Sequence, residues 1–350
     1  MKQTAVIVAP GRGTYNKPEL GYLQRHHADK RDLIAEFDAY RADQGQDRLT
    51  ALDGAARFSG ARHTRGDNAS ALIYGCALMD FLSIDRDRFD ILGVTGNSMG
   101  WYIALACTGA LNAMAGLRVV NTMGTLMQSH LIGGQSIYPF VDENWQAIPG
   151  ARAEIFAVVA DIGRQPDCVL DLSIELGGML VLGGNEAGLA AFEARMPVVQ
   201  DRFPLRLPNH AAFHTALQAP VAELGQQALP QDLFSPPDLT LIDGRGAFWH
   251  PLASSPGAIR DYTLGHQVVR PYDFTKAIRT AARELMPDVF IVLGPGNTLG
   301  GAVAQSLIRC NWRGWADKAS FQAAQLAEPR LISMGLAAQR SIVLKDARRD

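Results

Sequence analysis

The chain has 350 residues, 47% of them apolar and 19% charged, the composition of an ordinary globular protein long enough for two domains or one large domain with an insertion. Its formal net charge of −2 supplies no basic surplus for nucleic acid or an anionic membrane surface, and no stretch approaches the roughly 18 apolar residues of a membrane span. Four scattered cysteines, Cys76, Cys107, Cys168 and Cys310, form no CxxC pair, which predicts free thiols in a reducing, cytoplasmic protein. The N-terminal apolar run AVIVA stops at Pro10, too short for a signal-peptide core.

In chain order, TAVIVAPGRG (4–13) and FDILGVTGNS (89–98) read as buried strands, each ending at glycine. The helix-like ALIYGCALMDFL (71–82) lies between them. From about Gly133 to Leu207 the pattern changes to short strand candidates: AEIFAVVADI, CVLDLSIELGGMLVLGG and RFPLRL. Gly177-Gly178 suggests a hairpin, and EAGLAAFEARM (186–196) a helix. Further strands are DLTLIDGRG (238–246) and DVFIVLGPGNTLG (288–300), with helical DFTKAIRTAARELM (273–286) before the last. SFQAAQLAEPRLISMGLAAQ reads as a helix broken at Pro329, followed by a charged end, LKDARRD. Strands alternating with helices predict a parallel α/β sheet with ligands beyond its carboxyl ends. The expected division is a large α/β domain at 1–132 and 208–330, a small α+β unit at 133–207, and a tail at 331–350.

Gly96-Asn97-Ser98-Met99-Gly100 fits the G-x-S-x-G nucleophile elbow, in which a serine sits on a tight turn between a buried strand and a helix. The helix start at Met99 places free N–H groups near the serine, and the Met99 N–H is expected to form half of an oxyanion hole. A serine hydroxyl needs a base. His26 and His27 stand in a polar stretch, and His63, His130, His250 and His266 have no motif. His214, in LPNHAAFHTALQAP, is the best-placed candidate, with His210 four residues earlier as the rival. No aspartate stands at an obvious triad position.

Five separated stretches together resemble the malonyl-CoA:acyl-carrier-protein transacylase family, which includes the acyltransferase domains of fatty-acid and polyketide synthases. GNSMGWYIALACTGAL resembles the family's GHSLGEYAALVAAGAL, APGRG its FPGQGSQ, AAFHTALQAP its AFHSPLMEP, LGPGNTLGG its EVGPGxxLT, and QVVRPYDFTKAI its Q-x-x-x-P-V-x-F-x-x-A-I. The order and approximate spacing agree from about Val6 to Ile308. The resemblance implies an α/β-hydrolase-like large domain with an inserted ferredoxin-like subdomain. It also implies Ser98 as nucleophile, His214 as base, and backbone N–H groups of Met99 and Arg12 as the oxyanion hole. A main-chain carbonyl near Gln267 would orient the histidine. The donor substrate would be an acyl-CoA and the acceptor the phosphopantetheine thiol of an acyl carrier protein, with no bound cofactor or metal.

The departures bear on the acyl group. Malonyl-type members carry an arginine, in a pattern like R-G-x-x-M-Q, that pairs with the free carboxylate. Here Met123 holds that place, and Arg118 lies about 140° round the helix from it. An unpaired, desolvated carboxylate would cost on the order of several kcal/mol, so a neutral acyl group is expected in a pocket lined by Met123, Phe213 and Asn97. Arg12, in place of the family glutamine, is the competing carboxylate clamp. An acyl-carrier-protein hydrolase on the same scaffold and a non-catalytic carrier-docking subunit are the alternative functions. An ordinary esterase would place its histidine near the C-terminus, whereas more than 130 residues follow His214.

Overall fold

The computed structural model describes residues 1–345. Its larger sheet has six strands, in the order Leu331–Ser333, Val289–Val292, Gln3–Ala9, Phe89–Gly96, Leu241–Ile242, Phe248–Trp249. All neighbours are parallel except the last pair. The two central strands are apolar runs because helices cover both faces; Ala5 through Ala9 are wholly buried. Helix Gly100–Cys107 packs against this sheet, and helices Gly66–Leu82 and Ala113–Ser129 pack against that helix and against each other. Among the described residues, no helix is long and apolar enough to cross a membrane. Cys76 and Cys107 are buried free thiols, and Cys168 and Cys310 are half-buried.

The second sheet is built from Gly134–Pro139, helix Ala151–Ile162, Leu170–Leu176, Met179–Gly184, helix Glu186–Arg195 and Leu205–Arg206. This is a βαββαβ unit whose four strands lie in the order fourth, first, third, second, the ferredoxin-like arrangement. Gly177, at φ +66°, makes the hairpin turn. A fifth strand, Tyr272–Asp273, joins in parallel beside Leu170–Leu176 and comes from sequence far outside 133–207.

Two expectations need correcting. AEIFAVVADI is a helix, not a strand: its Val-Val pair favours a strand, but its buried positions, Ile155, Val158, Val159 and Ile162, fall at helical spacing. Residues 331–343 are not a tail. Leu331–Ser333 adds the edge strand to the larger sheet, and helix Ala337–Val343 carries Arg340 into a buried bond with Asp80. The run between Pro329 and Gly335 is too short to announce a strand. The last five residues of the expected charged end lie outside the described residues.

Candidate active site

The strand Phe89–Gly96 ends beside Gln3–Ala9, and the chain turns at once into helix Gly100–Cys107. A β-carbon on Gly96 would lie 2.2 Å from the Gly100 carbonyl oxygen, and one on Gly100 would lie 2.4 Å from the Ala9 carbonyl oxygen. Only glycine fits either side of this turn. Ser98 itself takes φ +55°, a conformation uncommon outside glycine. Neither the Met99 nor the Arg12 backbone N–H has a hydrogen-bond partner among the described residues.

Ser98 Oγ stands 2.7 Å from His214 Nε2. His214 Nδ1 lies 2.6 Å from the Gln267 carbonyl oxygen, which accepts from it, so Nδ1 carries the proton and Nε2 presents its lone pair to the serine. Burial pushes the His214 pKa down to about 4, against the upward pull of the Gln267 carbonyl. The imidazole is neutral near pH 7 and ready to accept a proton. Gln267 contributes more than its carbonyl: its Nε2 donates to Ser98 O at 3.1 Å, and its Oε1 accepts from Tyr102 at 3.1 Å. Tyr272 donates to the Gly96 carbonyl at 2.6 Å. These side-chain roles were not foreseen; the signal available was only that both residues lie in the QVVRPYDF stretch.

His210 is not within reach of Ser98. Its Nδ1 meets Gln135 Oε1 at 2.8 Å, Gln135 donates to Ser173 at 2.7 Å, and Ser173 donates to the Phe213 carbonyl at 2.7 Å. Burial, and then the charge of Arg12, lower the His210 pKa to about 3.

Two cavities border Ser98. A chamber of about 440 Å³ is lined by the small sheet (Ile137, Ile174, Met179, Val181) and by the loop that carries Arg12. A pocket of about 20 Å³ is lined by Tyr102, Val120, Gly124, Met127 and Val268. Arg12, Ser98 and Phe213 line both. The Arg12 guanidinium lies 5.5 Å from the Phe213 ring centroid, and its Nη2 donates to the Thr64 and Asn209 carbonyls at 2.9 and 3.1 Å. Its Nε is enclosed without a partner among the described residues, and burial lowers its pKa to about 10 despite the opposing charge of Asp67.

Of the residues expected to line an acyl pocket, Phe213 and Asn97 face these cavities. Met123 does not. Helix Ala219–Ala228 offers a slot at Gly225, and the Met123 sulfur fills it, one layer behind the pocket wall. The wall instead comes from Val120, Gly124 and Met127, at i, i+4 and i+7 on the same helix. Their helical spacing was readable, but nothing in the sequence says which flank of that stripe a neighbouring helix would claim.

No protein-family model matches the chain. It is 25% identical over 208 residues to the malonyl CoA-acyl carrier protein transacylase of Salmonella typhimurium, covering 59% of this chain and 63% of that one. The chain thus spans under two thirds of that relative's length. It superposes on the crystal structure of malonyl-CoA:acyl carrier protein transacylase from Xanthomonas oryzae with a TM-score of 0.75 and 19% identity, over 97% of this chain and 98% of that one. A type II polyketide synthase acyl-carrier protein in complex with its malonyl-transacylase is similar at a TM-score of 0.68 and 18% identity, over 87% of this chain and 93% of that one.

Proposed function

In sequence and fold the chain groups with the malonyl-CoA:acyl-carrier-protein transacylase family, and on that premise we propose that it is an acyl-CoA:acyl-carrier-protein S-acyltransferase working through an acyl-serine. The observation that carries this reading is the 2.7 Å contact between Ser98 Oγ and a His214 whose Nδ1 is committed to the Gln267 carbonyl. Ser98 Oγ attacks the thioester carbonyl while His214 Nε2 takes its proton. The negative oxygen of the tetrahedral intermediate faces the free N–H groups of Met99, at the start of the elbow helix, and of Arg12, in the loop after the first strand. Collapse breaks the C–S bond, and the departing CoA sulfur takes the proton back from Nε2. The thiol of the carrier's phosphopantetheine then gives its proton to His214 and attacks the acyl-serine; the C–Oγ bond breaks, and Ser98 Oγ takes the proton back from Nε2. The backbone carbonyl of Gln267 does for the imidazole what a triad carboxylate does elsewhere: it fixes the tautomer and the ring.

The acyl group in this reading is neutral. The walls of the inner pocket are apolar at Val120, Met127 and Val268, and the cation that also lines it, Arg12, has its Nη2 committed to the Thr64 and Asn209 carbonyls. Intact-mass measurement after incubation with an acyl-CoA tests the mechanism. The expected result is one acyl adduct on the wild type, none on Ser98→Ala, and discharge of the adduct when a holo carrier protein is added. Normal loading of Ser98→Ala would sink the mechanism. Discharge in buffer as fast as on the carrier would make the protein a hydrolase.

A further inference from the structure

The chamber beside Ser98 runs out to Gly13, Pro208 and Thr298, all exposed, so a CoA or a carrier arm arriving from solvent passes through it. Most of the polar side chains deeper in its wall commit their hydrogen bonds to the protein. Tyr15 donates to Asp53 at 2.7 Å, and Thr14 to the Gly11 carbonyl at 3.2 Å. His63 Nε2 lies 3.0 Å from the Leu52 carbonyl, and its Nδ1 accepts from the Ser59 N–H at 3.1 Å. Gln135 is engaged at both ends of its amide. His210 is different. Its Nδ1 meets Gln135, but its Nε2 has no partner among the described residues and is not walled in by protein, and the residue lines the chamber.

The chain of bonds behind His210 fixes what that nitrogen offers. The Phe213 carbonyl can only accept, so the single Ser173 hydroxyl proton goes to it. Ser173 Oγ then receives a proton from the Gln135 amide NH2, which turns the Gln135 Oε1 toward His210. His210 Nδ1 therefore carries the ring proton, and the neutral ring presents a lone pair at Nε2. Gln135 and Ser173 are buried on two strands of the small sheet, where no solvent competes to reverse the chain. His210 and His214 thus hold the same tautomer, each locked by an oxygen on Nδ1.

Resting on the acyltransferase reading above, we propose that His210 Nε2 accepts the N–H of the pantetheine amide nearest the sulfur, in CoA and in the carrier's arm alike. In both, two methylenes separate the sulfur from that amide. An amide N–H drawn out of water into the chamber is costly to leave without an acceptor. His210 stands where one is required: its ring centroid lies 5.8 Å from that of Phe213, and Phe213 borders both cavities that meet at Ser98. The acceptor is one side chain out from the serine on the chamber side. The contact holds the arm and not the reacting atoms, so His210 is a binding residue and His214 remains the base.

The test is an isosteric pair of small donors: an N-acetylcysteamine thioester, and the same thioester with its amide N–H replaced by an ester oxygen. Both carry whichever of acetyl, malonyl or octanoyl wild type loads from its CoA thioester. The second-order rate of Ser98 adduct formation is followed by intact mass. Wild type should favour the amide by about 5-fold, the worth of one hydrogen bond between neutral groups. His210→Ala should bring that ratio close to one, whatever it does to the absolute rates. A merely structural role would slow both donors alike and leave the ratio where it was. Equal rates in wild type would overturn the proposal, and so would a preference that survives in His210→Ala, because another group would then receive the N–H. Where His210→Ala does not fold, His210→Phe keeps a ring in that place and must lose the same preference. Loading from CoA but from neither small donor would also overturn it, since the recognised group would then lie further along the arm. A wild type that loads none of the three acyl groups from CoA overturns the acyltransferase reading itself, and this proposal with it.

Discussion

The His214 imidazole carries the acid limit of the proposed reaction. Burial holds its pKa near 4, well below the 6.5 of a solvated histidine, and a protonated Nε2 cannot accept the Ser98 proton. The sign follows directly: activity is present above the folded-state pKa and is lost as pH falls through it. The kcat/KM for Ser98 loading should therefore stay level from pH 8 to about 5 and fall toward pH 4. A limb centred near 6.5 would show that the ring is solvated in the working enzyme. His214→Ala should lower loading at least ~10²-fold, the lower range for a positioned base. A larger loss in His210→Ala would shift the base to the chamber. At this scale the sequence was informative where chemistry demands a residue type at a fixed local spacing, as at Ser98 between its two glycines. It was silent on Tyr102, Tyr272 and the Gln267 side chain, whose partners lie 165, 176 and 169 residues away.

At the scale of elements, the elbow depends on a close approach between the Ala9 end of one strand and the first turn of the helix beyond the next. Gly100→Ala drives a methyl to 2.4 Å from the Ala9 carbonyl oxygen. It should destabilise the protein by about 1–3 kcal/mol, as overpacking does, and lower Ser98 loading with it. Gly60→Ala, whose added methyl meets nothing within 4 Å, is the control and should leave the denaturation midpoint within error. Equal midpoints for the two variants would show that the turn tolerates a side chain. The long buried strands and the elbow were legible because their signals are local: an unbroken apolar run, then a glycine. Tyr272–Asp273 was not, because two residues carry no alternation, and only the neighbouring Leu170–Leu176 strand makes them a strand. Helix Ala151–Ile162 was misread for a related reason, since β-branched residues favour a strand until packing fixes the period.

Across the whole molecule, the C-terminal segment closes the fold onto one buried carboxylate. Asp80 Oδ1 accepts from Arg340 at 2.5 Å and lies 2.9 Å from His27, while Oδ2 accepts from Tyr22 and from the Gly294 N–H at 2.8 and 2.7 Å. Burial alone would raise this carboxyl, but the His27 hydrogen bond and the Arg340 charge carry it below the ordinary value. Arg340→Met should cost about 3–5 kcal/mol in denaturant unfolding, the penalty for a buried charge stripped of its partner. A loss under ~1 kcal/mol would mean that the last helix is dispensable.

A different consequence follows from the seven residues 267–273. They supply the carbonyl that orients His214, the amide that holds Ser98 and the hydroxyl on Gly96, and their end is a strand of the small sheet. Anyone grafting the 133–207 unit from one relative into another would transplant four strands and leave the fifth behind, on the recipient's catalytic segment. A chimera cut at those borders inherits a foreign seam beside the imidazole. A workable exchange moves two segments together, 133–207 and 267–273.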